Sequence, residues 1–266
     1  MKNLNWLWRL IVVIRLPVLT FHSIDQSRSI ISFSPELFKK IISTLKSNHY
    51  KALSLGDVVA WLKGEKDIPE RSVVITFDDG LENVYHEAFH VLEEAGFTAT
   101  LFLTTGYAGK TNSWPTQISG IPEMKMLNWS QIKEMAKSVF DIEAHTQTHP
   151  FLSRISKEDV YDEIVGSKVE IENRVGKKVN FFAYPYGDYN FTIYEFVASN
   201  FEGSCSTNLG YVTLKSLPFL LERHDMYYFS GSLSSVVFNS FFQNPYLLLC
   251  KSIRNMRRLA HAFGFS

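Results

Sequence analysis

Cysteine is scarce in this chain. Only Cys205 and Cys250 occur, which allows at most one disulfide, offers no cysteine spacing for a metal, and points to a reducing compartment. An excess of one charge is lacking as well. Lys+Arg and Asp+Glu both number 27, so no global field draws the chain to nucleic acid or another anionic polymer. Long apolar runs are also absent. The stretch 6–13 is interrupted by Arg9 and followed by Arg15, and it is too short to cross a bilayer. No small-residue cleavage site follows it, so residues 1–16 read as a packed or interfacial amphipathic segment and not as a removable signal peptide. No internal repeat or low-complexity tract stands out.

What is present is enough apolar sequence for a substantial core. Hydrophobic residues make up 45% of the 266 positions and charged residues 20%, as in a folded globular protein, and the length suits a single α/β barrel. The organising stretch is Val73-Val74-Ile75-Thr76-Phe77-Asp78-Asp79-Gly80. Its β-branched, apolar run reads as a buried strand of a parallel sheet. Asp78 and Asp79 then stand at the carboxyl end, where such folds place ligands and catalytic groups. Neighbouring residues leaving a strand point in different directions, so one carboxylate can hold a metal while the other handles a proton. Taken alone, the same residues also make an ordinary Asp-Asp-Gly turn.

The rest of the chain alternates strands and helices. A strand over 17–22 ends in His22, read as structural. Ser34-Pro35-Glu36 starts a helix with Leu37, Phe38, Ile41, Ile42 and Leu45 on one face. A short strand over 52–55 and a helix over 57–63 lead to the organising strand. A helix closed by Gly96, a strand over 98–103, a helix over 129–138 capped by Asn128 and Gln131, and a strand over 140–142 follow. Between them, 104–126 lacks periodicity, as functional loops at strand ends often do. A helix over 156–174 presents Val160, Ile164 and Val169. Strands are expected over 181–184, 203–206, 211–214 and 220–225. This βαβ succession indicates a parallel sheet or barrel over 17–230. The tail over 231–266 contains a basic amphipathic helix that either packs on the barrel or docks on an anionic membrane surface.

Two histidines four residues apart, His145 and His149, meet on one side if the segment forms a helical turn, close enough to share a metal ion. A carboxylate completes a three-ligand set with open positions, and Asp78-Asp79 supplies one. The turn after Phe181-Phe182-Ala183-Tyr184, at Pro185-Tyr186-Gly187, can aim a backbone N–H at an oxyanion or be a plain turn.

Together, Thr76-Phe77-Asp78-Asp79-Gly80, His145-Thr146-Gln147-Thr148-His149, Tyr184-Pro185-Tyr186-Gly187 and Leu221-Glu222-Arg223-His224 resemble the polysaccharide deacetylases of carbohydrate esterase family four, the NodB-homology domain. The resemblance implies a distorted (β/α)7-type barrel and a divalent metal, usually Zn2+. The implied reaction is removal of an N-acetyl group from an amino sugar such as N-acetylglucosamine in a polysaccharide, oligosaccharide or lipid-linked glycan. By the same resemblance, Asp78 is the base, Asp79, His145 and His149 hold the metal, the Tyr186 N–H faces the oxyanion, and His224 is the acid. Many members pair the base with an arginine where this chain has Ala183, and Arg223 is expected to reach across and take that place. An O-acetyl esterase, a non-sugar amidase and a catalytically silent carbohydrate-binding barrel are the alternatives. The expected setting is cytoplasmic, with membrane association through the tail.

Overall fold

The computed structural model describes residues 14–230 and residue 252. The expected N-terminal segment lies outside them apart from its last three residues, as does the tail helix apart from Ser252. Among the described residues no helix is long and apolar enough to cross a membrane.

In chain order the strands are β1 (Val18–Phe21), β2 (Ser23–Ile24), β3 (Ser32–Phe33), β4 (Lys51–Ala52), β5 (Ser72–Phe77), β6 (Ala99–Leu103), β7 (Phe140–Ala144), β8 (Phe181–Ala183), β9 (Gly203–Leu209) and β10 (Leu221–Asp225). Seven of them close a parallel barrel in the order β1-β10-β9-β8-β7-β6-β5, with β5 returning to β1, while β4 adds to the β5 edge and β2 and β3 pair separately. This is the barrel that the alternation of strands and helices predicts.

Strand alternation sorts the side chains into two layers. Val18, Val74, Phe102, Phe181, Ala183, Cys205 and Leu221 share one core cluster with the helix Leu55–Leu62, which covers the amino-terminal end of the barrel. Leu19, Phe21, Ile75, Phe77, Leu101, Ile142 and Phe182 belong to the outer cluster beneath the surrounding helices. Phe21 and Phe77 are register partners on β1 and β5 and stack 5.4 Å apart. Such aromatic pairs contribute about 0.5–1.5 kcal/mol beyond burial. Because paired residues of a parallel ladder share a face, the register decides which polar groups enter the barrel.

Four local expectations need correction. The helix expected from residue 57 starts at Leu55, because Ser54 caps it: Ser54 Oγ accepts from Asp57 N and the Asp57 carboxylate accepts from Ser54 N. The stretch 211–214 is no strand, since Val212 makes only a single antiparallel bridge to Leu16. The helix over 157–175 makes a π turn at Asp162–Gly166. Ile164 is buried within this turn, and beyond it Ile171 is buried while Val169 is 45% exposed. The segment 145–149 is not a helical turn, and Thr146 and His149 both take left-handed backbone conformations.

Candidate active site

Asp78 continues the β5 pattern by one residue, its N–H donating to the Phe21 carbonyl at 2.9 Å. It therefore points inward, like Thr76 and Val74. Asp79 breaks the strand with φ 72° and Gly80 follows at φ 98°. The conformation at Gly80 favours glycine, and a Cβ there would lie 2.6 Å from Leu103 Cδ1 and displace that side chain. The two carboxylates accordingly meet different partners, Asp78 meeting Arg223 and Asp79 meeting His145 and His149.

Asp79 Oδ1 lies 3.5 Å from His145 Nε2 and 3.3 Å from His149 Nε2, with all three side chains buried. One ligand atom from each falls within 4.8 Å of the others. Asp79 Oδ1 has no hydrogen-bond partner within the described residues, although burial of an unpaired carboxylate oxygen is costly. Donors bound about 2.0–2.2 Å from one ion at tetrahedral angles stand roughly 3.4 Å apart, which matches these separations. The residues therefore fit a divalent metal, and two imidazoles with a carboxylate suit zinc or its neighbours. Burial works against ionisation of Asp79, yet the two facing imidazoles hold its carboxyl well below the ordinary carboxylate range. Burial lowers the His149 pKa, which favours the neutral, ligating form.

The two histidines are oriented differently. His145 Nδ1 is hydrogen-bonded to the Ala183 carbonyl at 2.8 Å, which aims Nε2 at Asp79. His149 is held by rings: Trp114 stacks on it at 4.6 Å and Tyr186 meets it edge-on at 4.4 Å. Trp114 Nε1 donates to Tyr186 Oη, Tyr186 Oη donates to the Thr116 carbonyl, and Thr116 Oγ1 donates to the His149 carbonyl. The aperiodic loop over 104–126 is thus tied onto the second histidine.

Beside the histidines, Arg223 forks onto Asp78, with Nη1 to Oδ1 and Nη2 to Oδ2 both at 2.7 Å. Its Nε donates to the Ser206 carbonyl at 2.9 Å. Burial alone would raise the Asp78 pKa, but the Arg223 charge and hydrogen bonds outweigh it and the carboxyl is held below its ordinary value. Ala183 faces the same interior and leaves room for the guanidinium. Arg223 thus pairs with Asp78 inside the barrel.

His224 is not brought to this site. Its register partner on β1 is Leu19, an outer-layer residue, so His224 faces outward and packs against Tyr211 at 4.4 Å and Phe229 at 5.9 Å. The imidazole that does reach Asp78 is His22, one residue beyond β1, with Nε2 3.9 Å from Asp78 Oδ2 and its side chain 24% exposed. Inward Val18 and Thr20 already carried the signal for His22 at the two-residue period. His22, Asp78, Asp79, His145, His149 and Tyr186 all line one cavity of about 100 Å³, together with Tyr184, Thr207, Trp114, Gln117 and the apolar Ile31, Ile118 and Ile121. Tyr186 takes φ 58°, and Thr207 packs where any side chain on Gly187 would stand.

A parallel barrel whose strand ends gather two carboxylates, two imidazoles able to hold a metal and an arginine on one carboxylate has the parts that metal-assisted hydrolysis uses. The profile of the family described as polysaccharide deacetylase matches residues 65–200. The chain belongs to the polysaccharide deacetylase family. YxkH of Bacillus subtilis (strain 168), whose name assigns it to the polysaccharide deacetylases, is 31% identical over 66% of this chain and 58% of its own length. Poly-beta-1,6-N-acetyl-D-glucosamine N-deacetylase of Staphylococcus aureus (strain MRSA252) is 30% identical over 59% of this chain and 54% of its own length. The match thus spans a little over half of each relative. Among solved structures, the Streptococcus pyogenes deacetylase PplD in complex with acetate shares the fold at a TM-score of 0.70 and 24% identity, covering 80% of this chain and 93% of that one.

Proposed function

We propose that this chain is a metal-dependent deacetylase that hydrolyses the N-acetyl group of an amino sugar in a glycan, releasing acetate and leaving the free amine. The observation that carries the reading is the buried Asp79, His145 and His149 set opening onto the same cavity as Asp78, which Arg223 clamps from behind. Kinship to a poly-N-acetylglucosamine deacetylase supports an N-acetylglucosamine polymer as substrate.

A divalent metal, zinc by its donor set, would be held by Asp79, His145 and His149 and would polarise the acetyl carbonyl and acidify water. Asp78 accepts the proton of the attacking water, and Arg223 keeps it ionised and aimed. The Tyr186 backbone N–H, on its left-handed turn, donates to the developing oxyanion. His22 delivers a proton to the departing amine, in the role the resemblance gave to His224. It lies within reach of Asp78 and is open enough to exchange protons with solvent. Ile31, Ile118 and Ile121 supply an apolar wall on which a methyl group can rest.

The test is acetate release from N-acetylglucosamine oligomers and polymer, with O-acetylated sugars and simple amides in parallel. Release from the N-acetyl substrates, abolished by a chelator and restored by zinc, is expected. Release only from O-acetyl esters or only from non-sugar amides would replace this reading, and metal binding with no release from any glycan would point to a binding barrel.

A further inference from the structure

The segment between the two metal histidines is gripped by a helix that never reaches the metal site. The π turn at Asp162–Gly166 interrupts the helix over 157–175. Such turns expose backbone groups and recur at functional sites. Here the turn faces residues 147 and 148. Glu163 Oε2 accepts from Gln147 N at 2.7 Å and from Thr148 N at 2.8 Å, and Glu163 Oε1 accepts from Thr148 Oγ1. The Asp162 carbonyl accepts from Gln147 Nε2 at 2.8 Å. Gly166 makes the space, since a Cβ there would lie 1.9 Å from Gln147 Nε2.

The opposite side is closed too. Gly106 N donates to the Gln147 carbonyl at 2.9 Å, and a Cβ on Gly106 would stand 2.6 Å from that oxygen. Between these grips Thr146 and His149 hold φ of 67° and 57°, which side chains other than glycine rarely adopt. An unrestrained loop would relax out of that conformation and spread the imidazoles. We propose that Glu163, with the Asp162 carbonyl and the space at Gly166, is a positioning cradle that sets the spacing of His145 and His149 for the metal. This rests on the metal reading of the site. Glu163 touches neither the metal donors nor the cavity and acts only through the loop.

The experiment measures zinc affinity by competition with a chromophoric chelator on metal-free wild type, Glu163→Ala, Glu163→Gln and Gly166→Ala. Visible spectra of the Co2+ forms and the melting temperature of each metal-free protein accompany it. Glu163→Ala should bind zinc about 10–100-fold more weakly, the usual cost of losing a group that orients a ligand. Its Co2+ bands should weaken or shift. Glu163→Gln should bind nearly as wild type, because its amide oxygen can accept both N–H groups while its NH2 donates to Thr148 Oγ1. Gly166→Ala favours the helix but evicts the Gln147 amide, so it should keep or raise the metal-free melting temperature and still weaken zinc. This variant decides the matter if Glu163→Ala does not fold. Unchanged zinc affinity in Glu163→Ala or Gly166→Ala, with wild type binding normally, overturns the cradle alone. A wild type that binds no zinc overturns the metal reading and the cradle with it.

Discussion

Replacing Arg223 with alanine removes both hydrogen bonds to Asp78 and the one to the Ser206 carbonyl, all within the barrel interior. Removing one partner of a buried ion pair costs about 3–5 kcal/mol, because the remaining charge is left without compensation. For a domain of this size that is a fall of roughly 10 °C in melting temperature. The pH dependence follows from the direction of the Asp78 shift. Its folded-state pKa is lowered, so its stabilising contribution is present above the unfolded carboxylate value and is lost as pH falls through the folded one. The gap between wild type and Arg223→Ala should therefore be widest near neutral pH and narrow below about pH 4. Losing an adjacent positive charge also raises a carboxylate pKa by about 1–3 pH units, so the acidic limb of kcat/KM should move upward. Arg223→Lys keeps the charge but not the fork, and it should fall between the two. The assays are thermal melts from about pH 2 to 8, a range that includes the loss of the Asp78 contribution, and the pH profile of acetate release. Equal melting temperature and an unmoved acidic limb in Arg223→Ala would refute the pairing argument.

Two further substitutions separate the histidines. His22→Ala should lower kcat about 10²–10⁴-fold, the usual cost of a lost general acid, with a small change in melting temperature. His224→Leu should lower the melting temperature and leave kcat within a few-fold, and the opposite pattern would return the acid role to His224. Glu143 offers a test of the barrel interior. It faces inward on β7, accepts from the Asn180 and Phe181 N–H groups, and burial pushes its pKa up to about 8. A folded pKa raised above the unfolded value gives stability present below about pH 4.5 and lost as pH rises toward 8, at up to about 1.4 kcal/mol per pH unit. Glu143→Gln should flatten that decline, as thermal melts across the range would show; an unchanged slope would mean Glu143 is not its source.

Much of this site was legible because strand chemistry is local. The run 73–77 is apolar and β-branched throughout, so its end, and with it Asp78 and Asp79, could be placed without knowing any neighbour. The two histidines were legible from their spacing, though not their route to the metal. The turn over 145–149 relies on left-handed Thr146 and His149, which nothing in their residue types announces. The direction of the His224 side chain was not legible, for a specific reason. Leu221-Glu222-Arg223-His224-Asp225 carries polar residues on both faces, so alternation alone does not say which enters the barrel. The register Leu19↔His224 decides it, and register is a property of two strands. Trp114 and the isoleucines of the cavity sit on loops without periodicity, where contact with the site appears only once the chain is folded. The expected strand over 211–214 failed because an apolar-polar pattern there meets only one partner residue, Leu16.

The central claim joins the Asp79, His145 and His149 set to hydrolysis of an N-acetyl sugar. The most direct measurement titrates zinc into the metal-free protein while acetate release from N-acetylglucosamine oligomers is followed. Activity rising linearly to a plateau at one equivalent, and absent with Asp79→Ala at the same zinc concentration, is the predicted result. Acetate release by the metal-free protein, or none once one equivalent is bound, would contradict it.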